Sequence, residues 1–172
     1  MSHKTVAIML PILQYPHSRL KTVAALHEIS AQTHDIINSM FETMYQSNGI
    51  GLAATQCDIH QQIIVIDLQK PDSKPLHLIN PKIIELSGEQ DSEEGCLSFP
   101  GVYDMVKRAM HVKVKAIDKD NNPFELEATG LLAAAIQHEI DHLNGALFIE
   151  RLSILKKQRA IEKYNKLRSR NI

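Results

Sequence analysis

The chain has 172 residues, 44% of them hydrophobic, and a formal net charge of −1 at neutral pH. These values are typical of a globular domain with one sizeable core, and they argue against a disordered or fibrous protein. Only two cysteines occur, Cys57 and Cys96, which is too few for a disulfide scaffold and favours a reducing compartment. No apolar run approaches the ~20 residues of a membrane helix. We therefore expect residues 1–172 to form a single domain outside the membrane.

The first apolar segment, Val6–Leu13, follows a lysine and has the length of a short signal-peptide core. It contains Pro11, however, and no small-residue cleavage site follows it. We interpret it as the structural N-terminus of a cytoplasmic protein.

The next part of the chain predicts a long helix followed by strands. In Ala24–Ser47, apolar residues recur near every 3.6 positions, and Asn48-Gly49 supplies a C-terminal cap. Gln61–Leu68 is an apolar, β-branched run and predicts a buried strand. Leu76–Ile79 and Lys82–Leu86 predict two further extended segments.

Beyond residue 110 the pattern predicts a hairpin and then a helix. His111–Ile117 and Phe124–Ala128 alternate with period two on either side of a polar turn. Leu131–Leu143 consists of strong helix formers, and Gly145 marks its end. The order of elements predicts an α+β fold in which antiparallel strands surround a central helix, with a long N-terminal helix and a C-terminal helix.

The final predicted helix, Ser153 to about Arg170, is basic. Its apolar side is expected to carry Ile154, Ile161, Tyr164 and Leu167. From Arg151 to Ile172 there are eight lysines or arginines and one acid, a charge of +7, which leaves −8 on the other 150 residues because the total is −1. A basic helix on an acidic body suggests an anionic partner, although a solvated face that balances the body is the simpler interpretation.

The segment "QHEIDH", Gln137–His142, carries the clearest chemical motif. On a helix, His138 and His142 lie one turn apart and face the same way, which is the spacing at which two imidazoles reach one tetrahedral ion. Glu139 projects at an adjacent angle and can hold a water without being a ligand itself. The motif therefore predicts that the central helix binds a metal.

A catalytic metal needs a third protein ligand and one open position. The metzincin spacing fails, because Phe148 stands where its third histidine would be. Glu150 or Glu162 could act like the downstream glutamate of thermolysin-like enzymes. However, Glu150 is too close to the histidine motif to lie on a separate helix, and Glu162 lies in the basic C-terminal helix. Cys96, beside a glycine in "EEGCLSFPG", is the remaining candidate, with Cys57 as its rival. A lone cysteine is more often a small buried hydrophobe.

Three segments in order, "GIGLAATQ" (49–56), "EGCLS" (94–98) and "QHEIDHLNG" (137–145), closely resemble the peptide deformylase family. The resemblance extends to "ILQYPHSRL" near the start and covers most of the chain. It implies a hydrolase that removes the N-formyl group from the N-terminal methionine of newly made proteins and releases formate.

The resemblance also implies which residues act. It makes Cys96, His138 and His142 the metal ligands and Glu139 the general base and acid. The family metal is typically Fe2+, with Zn2+, Ni2+ or Co2+ as substitutes. Thiolate and imidazole ligands suit several of these ions, so the ligand set does not choose among them.

By the same resemblance, the Gln56 side-chain amide and the Leu97 backbone N–H stabilise the oxyanion. The alternative for Gln56 is a buried amide that satisfies a turn. The implied substrate-binding residues, some of which are also ordinary core candidates, are Gly49, Ile50, Gly51, Glu94, Gly95, Leu131, Ala134 and Ala135. Ser92 stands where a bulkier aliphatic residue is common in relatives, and this predicts a roomier or more polar pocket wall. Arg108 is a candidate anchor for a peptide carbonyl or for Glu94.

The implied partners are N-formyl-methionyl nascent peptides and the ribosome, on which the basic C-terminal helix would dock; no membrane is involved. Two other hypotheses remain. A general zinc peptidase would cleave unformylated peptides, but the missing metzincin histidine counts against it. An inactive relative with a structural metal and an RNA-binding tail would normally have four ligands, and only three are evident.

Overall fold

The computed structural model describes residues 7–171. Its helices and strands are α1 (Thr33–Gln46), β1 (Gly51–Ala53), β2 (Ile63–Ile66), β3 (Leu76–Ser87), β4 (Gln90–Cys96), β5 (Phe99–Arg108), β6 (His111–Ile117), β7 (Pro123–Thr129), α2 (Gly130–Leu143) and α3 (Ile154–Arg170). Short 3-10 turns occur at Ser18–Lys21, Ala54–Cys57 and Phe148–Arg151. The antiparallel strands and three helices confirm the predicted α+β class. Between residues 7 and 171, no helix is both long and apolar enough to cross a membrane.

Five strands form one antiparallel sheet in the order β1-β2-β3-β6-β7. Strand β2 is wholly buried because both of its faces are covered. Successive side chains point to opposite faces of a strand, so Ile64 packs with Ile136 of α2, whereas Ile63 and Val65 pack with Met40 of α1. Each such fully buried side chain contributes about 1.5–3 kcal/mol. The sheet thereby fixes α2 against its inner face.

Strands β4 and β5 form a separate hairpin, and α3 packs against β5. The ring of Tyr164 stacks on Phe99 with 4.2 Å between ring centroids, and its hydroxyl donates to the backbone oxygen of Tyr15 at 2.8 Å. The hairpin is therefore held by α3 from one side, and its end at Cys96 lies close to α2.

The predicted helix at Ala24–Ser47 is too long at its start, since α1 begins only at Thr33. The preceding segment is extended because the backbone N–H and carbonyl of His27 bond to the side chain of Asn80. This long-range pairing satisfies the backbone without helix formation and leaves Leu26 70% exposed. Tertiary contacts have overridden the local periodicity.

The strand predictions hold with altered bounds. β2 is shorter than the predicted Gln61–Leu68, and the two segments around Asn80 are one strand, β3. Asn80 has φ of 52° at an irregularity in the pairing of β3 with β6, so the strand bends there without ending. The β6–β7 hairpin is confirmed. The pairing of β4 with β5 was not predicted.

The two C-terminal helices are confirmed, with one correction. Gly145 follows α2 with φ of +80°, and a Cβ there would lie 2.5 Å from the Lys21 carbonyl oxygen. The Ser153 side chain caps α3 by accepting from the backbone N–H of Lys156. Ile154 is wrong as a member of the apolar side: at the first position of α3 it is 89% exposed.

The N-terminal apolar segment has neither helix nor strand over residues 7–13. The backbone N–H of Leu10 donates to Thr43 Oγ1 of α1 at 2.8 Å. Val6, where the predicted segment starts, lies outside the described residues.

Candidate metal centre

Two histidines of α2 and the cysteine at the end of β4 lie close together. His138 and His142 are one helical turn apart, with 5.1 Å between ring centroids. Cys96 Sγ lies 3.2 Å from His142 Nε2. One ligand atom from each of the three residues falls within 4.8 Å of the other two. Among the described residues, this is the group of histidine, cysteine or acidic side chains whose geometry suits a metal.

The donor set fits a divalent transition metal. One thiolate and two imidazoles leave a fourth position open, as a catalytic site requires. Burial lowers the pKa of His142 well below its usual value, aided by the nearby charges of His138 and Arg108, so this imidazole is neutral and able to bind. Within the described chain, two buried polar atoms beside the cluster lack a hydrogen-bond partner, Glu139 Oε2 and His142 Nδ1.

Glu139 follows His138 and is 4% exposed. Burial raises the pKa of its carboxyl group to about 7, because charge is costly to hold away from water. Gly51 of β1 lies directly against it: a Cβ on Gly51 would be 2.8 Å from Glu139 Oε1. A glycine at this point therefore makes room for the carboxylate.

A chain of charged side chains holds His138 from behind. His138 Nδ1 pairs with Glu94 Oε1 at 2.8 Å. Arg108 binds the two oxygens of Glu94 at 2.7 and 2.9 Å and also reaches Asp141 at 2.6 Å. Asp141 in turn accepts hydrogen bonds from Nε and Nη2 of Arg151, at 2.6 and 2.8 Å. The His138 imidazole is thus connected through these side chains to the 3-10 turn that precedes α3.

These contacts lower the pKa values of both acidic groups, Glu94 and Asp141. Burial alone would raise the pKa of Glu94, but its hydrogen bonds with Arg108 and His138 lower it to about 2. Burial likewise opposes the lowered pKa of Asp141, which its bonds with Arg151 and Arg108 produce. Both carboxylates are therefore charged at neutral pH, and a charged Glu94 favours a proton on His138 Nδ1, which leaves Nε2 available for a metal.

Gln56 lies beside the cysteine in the 3-10 turn Ala54–Cys57. Its Oε1 accepts the backbone N–H of Ala53 at 2.9 Å, and its Nε2 donates to Ser98 Oγ at 3.1 Å. Nε2 also lies 3.5 Å from Cys96 Sγ. The amide therefore satisfies a turn, as the alternative interpretation held, and also presents an N–H donor next to the thiol.

A cavity of about 500 Å3 opens in front of the cluster, between β1, β4 and α2. All eight predicted substrate-binding residues line it, as do Gln56, Cys96, Leu97, His138 and Glu139. His142 is fully buried behind them. The competing ligand candidates are not part of the cluster: Cys57 is buried apart from it, and Glu150 pairs with Lys157.

Sequence reasoning missed Asp141, Arg151 and part of the role of Arg108. Asp141 stands three residues after His138, so helical spacing already placed it near the motif. Arg108 was considered as an anchor for Glu94 or for a peptide carbonyl, and its guanidinium is engaged by Glu94 and Asp141. No local signal marks Arg151, whose contact depends on the turn after α2.

Residues 9–158 match the sequence model of the polypeptide deformylase family. The chain belongs to the peptide deformylase family. A peptide deformylase from Chromobacterium violaceum is 53% identical over 165 residues, which cover 95% of this chain and 99% of that protein. The crystal structure of a deformylase from Legionella pneumophila superposes with a TM-score of 0.90 at 42% identity, covering 95% of this chain and 98% of that one.

A further deformylase structure, from Synechococcus elongatus in complex with actinonin, has a TM-score of 0.87 at 40% identity and covers 95% of each chain. Family membership over nearly the whole length makes this chain an enzyme. It is a metal-dependent hydrolase that removes the N-formyl group from the N-terminal methionine of newly made proteins and releases formate. This activity excludes the inactive-relative hypothesis.

Proposed function

We propose that Cys96, His138 and His142 hold one divalent metal ion and that Glu139 is the general base and acid of deformylation. One observation carries this assignment: three donor atoms lie within 4.8 Å of one another, beside a buried glutamate oxygen that has no partner in the described chain. The ion we propose is Fe2+, on the basis of the family resemblance, with Zn2+, Ni2+ or Co2+ as working substitutes. When bound, the ion would polarise the formyl carbonyl and lower the pKa of a neighbouring water.

Glu139 takes a proton from the attacking water and later gives it to the leaving amine. Burial raises the pKa of this carboxyl group to about 7 in the metal-free chain, and a bound cation would favour the carboxylate form that accepts the proton. Water adds across the formyl C–N bond, and the products are formate and a peptide with a free N-terminus.

The oxyanion of the tetrahedral intermediate is stabilised by the Gln56 amide and the backbone N–H of Leu97. Both residues adjoin Cys96, one through the 3.5 Å approach of Gln56 Nε2 to its sulfur and the other through the chain. Gln56 is held by its bonds to Ala53 and Ser98, so its donor is fixed in place before the charge develops.

The peptide binds along β1, and its first side chain enters the cavity. β1 is an edge strand of the five-stranded sheet, so a substrate can pair with it as an added strand. The substrate-binding residues we propose all line the cavity: Gly49, Ile50, Gly51, Glu94, Gly95, Leu131, Ala134 and Ala135. The last three form one face of α2 that leads to His138.

Formate release from a formyl-Met peptide tests the assignment. Protein loaded anaerobically with iron should release formate, and Glu139→Ala loaded in the same way should lose activity by about 10²–10⁴-fold while retaining its metal. The unformylated peptide, incubated in parallel, controls for general peptidase activity. Full activity in the metallated variant would remove Glu139 from the mechanism.

We further propose that residues 1–172 act as one catalytic domain in the cytoplasm and that α3 docks on the ribosome. Arg159, Lys163, Lys166 and Arg170 recur at helical spacing and are exposed, while Tyr164 between them is buried. A stripe of this kind suits rRNA phosphates, and such binding weakens with salt.

Cosedimentation with ribosomes tests the docking. Changing Arg159, Lys163 and Lys166 to Glu should abolish cosedimentation at low salt. The matched control changes three exposed lysines elsewhere, Lys82, Lys107 and Lys115, to Glu and alters the net charge equally. Equal loss in both triple variants, or none in either, would contradict docking through α3.

A further inference from the structure

Strand β4 and helix α2 run side by side along the cavity. Gln90 Nε2 at the start of β4 donates to the carbonyl of Gly130 at the start of α2, and Glu94 pairs with His138 further along both elements. The distances between these two contacts agree on both elements. Gln90 to Glu94 spans about 13 Å along the strand, and Gly130 to His138 spans about 12 Å along the helix. Ser92 lies midway on β4, so it faces the stretch of α2 between Leu131 and Ala135.

Ser92 is therefore part of the wall of the cavity that the first side chain of the substrate is proposed to enter. It lines the cavity, it is 7% exposed, and it stands roughly 7 Å from Glu94 along the strand. The facing side chains at Ala134 and Ala135 are small, which leaves room in front of its hydroxyl. Beside it on β5, the strand partner Val106 is apolar and buried.

The Ser92 hydroxyl lacks a partner, unlike the polar groups on either side of it. Gln90 donates to the carbonyls of Ala109 and Gly130, and Glu94 is bound by Arg108 and His138. The Ser92 side chain forms no hydrogen bond within residues 7–171. The Ser92 oxygen is not one of the unpaired side-chain atoms that are completely shielded from solvent, so it is accessible from the cavity. A hydroxyl that is open to the cavity and has no partner in the described chain is able to donate to a ligand acceptor.

We propose that Ser92 determines specificity by donating a hydrogen bond to an acceptor at the end of the first side chain, and that the enzyme thereby accepts N-formyl peptides beginning with methionine sulfoxide. This rests on the proposed entry of the first side chain into the cavity. Methionine sulfoxide keeps the length of methionine and adds a polar oxygen. The reaction is unchanged: water adds across the formyl C–N bond, formate leaves, and the sulfoxide does not react.

The test compares two variants that differ only in the hydroxyl. Ser92→Thr and Ser92→Val have the same shape, and both are suited to a strand. Each is loaded with metal, and kcat/KM is measured by formate release from three peptides that start with formyl-methionine, formyl-norleucine or formyl-methionine sulfoxide. Norleucine has the length of methionine without an acceptor, so the sulfoxide-to-norleucine ratio isolates the hydrogen bond.

The ratio should be about tenfold higher in Ser92→Thr than in Ser92→Val, the effect expected of one buried hydrogen bond. Ser92→Ala, which removes the hydroxyl without adding bulk, should resemble Ser92→Val. Equal ratios in all three variants, while formyl-methionine is still cleaved, would overturn the proposal. Absence of formate from every peptide with metallated wild-type protein would instead contradict the proposed function.

Discussion

The two sides of α2 differ in how completely their polar groups are paired. Behind His138, a chain of charges through Glu94, Arg108, Asp141 and Arg151 satisfies every carboxylate at 2.6–2.9 Å. On the cavity side, glycines and alanines leave space, and polar groups such as Glu139 Oε2 lack a partner in the described chain. The same helix thus has a paired side that fixes a histidine and an open side that is free for substrate.

Because of this difference, substitutions on the two sides of α2 should have different consequences. Buried charges hold geometry only when both partners are present, because an uncompensated charge away from water is expensive. An unpaired polar group in a cavity contributes little until a ligand meets it. Substitutions on the paired side should therefore affect folding and metal binding, whereas substitutions on the open side should affect turnover and specificity.

The largest effect is expected at Arg108, whose side chain is fully buried between Glu94 and Asp141. Arg108→Met leaves two buried carboxylates without their cation and should lower the free energy of unfolding by about 3–5 kcal/mol. Loss of the support behind His138 should weaken metal affinity by about 10–100-fold. Urea unfolding of the metal-free protein and competition with a chelator measure the two effects.

The matched control is Arg19→Met, which removes a surface ion pair with Asp58. That pair is exposed, so its loss should leave the free energy of unfolding nearly unchanged. Equal losses at Arg19 and Arg108 would show that the buried chain of charges has no special role.

A somewhat smaller effect is expected on the open side, at Glu139. Its pKa of about 7 in the folded chain exceeds the ordinary 4.5, so folding favours the protonated carboxyl. Ionisation of Glu139 therefore does not affect the free energy of unfolding below about pH 4.5. Above about pH 7 it lowers the free energy of unfolding by its full amount, roughly 3 kcal/mol. Metal-free Glu139→Gln should gain stability over wild type progressively across that interval.

Urea titrations of both metal-free proteins at pH 5, 6, 7 and 8 check this. Because the Glu139 carboxylate also interacts with the adjacent His138, the measured difference includes the loss of that interaction. Exposed Glu127, changed to Gln, controls for the loss of a negative charge as such. A stability difference that does not grow with pH would contradict the raised pKa.

The sequence predicted the open side better than the paired side. Helical spacing and the histidine–glutamate motif identified α2, and three short motifs in order indicated the rest of the site. These signals are local. The chain of charges depends on Arg108 at the end of β5 and Arg151 beyond α2, and no spacing rule joins positions so far apart in sequence.

The same limit explains the fold errors. The residues before Thr33 have helical periodicity, yet the side chain of Asn80 takes their backbone hydrogen bonds. The β4–β5 pairing went unpredicted because β4 carries consecutive polar residues, "QDSEE", that read as a loop. Those residues are polar because two of them, Ser92 and Glu94, face the cavity and the ion pairs rather than an apolar core.

A loss of turnover is expected from Gly51→Ala. The new Cβ would lie 2.8 Å from Glu139 Oε1, so the carboxylate must shift. If Glu139 acts as proposed, a displacement of about 1 Å should cost on the order of 100-fold in kcat, while metal content should not change. Gly49→Ala is the comparison, because its Cβ would meet the mobile end of Leu97 at 2.7 Å. A larger loss of kcat at Gly49 than at Gly51 would contradict the role of the glycine beside Glu139.

The smallest effect is expected at the outer end of the paired side. The Arg151 side chain is 49% exposed where it binds Asp141, and water screens such a pair. Arg151→Gln should therefore lower the free energy of unfolding by no more than about 1 kcal/mol, and its effect on metal affinity should be well below that of Arg108→Met. Urea unfolding and chelator competition should be measured for both variants. The comparison shows how much each arginine in the chain of charges contributes to stability and to metal affinity. If Arg151→Gln weakens metal binding as much as Arg108→Met, the turn before α3 is as important to His138 as the arginine that contacts Glu94.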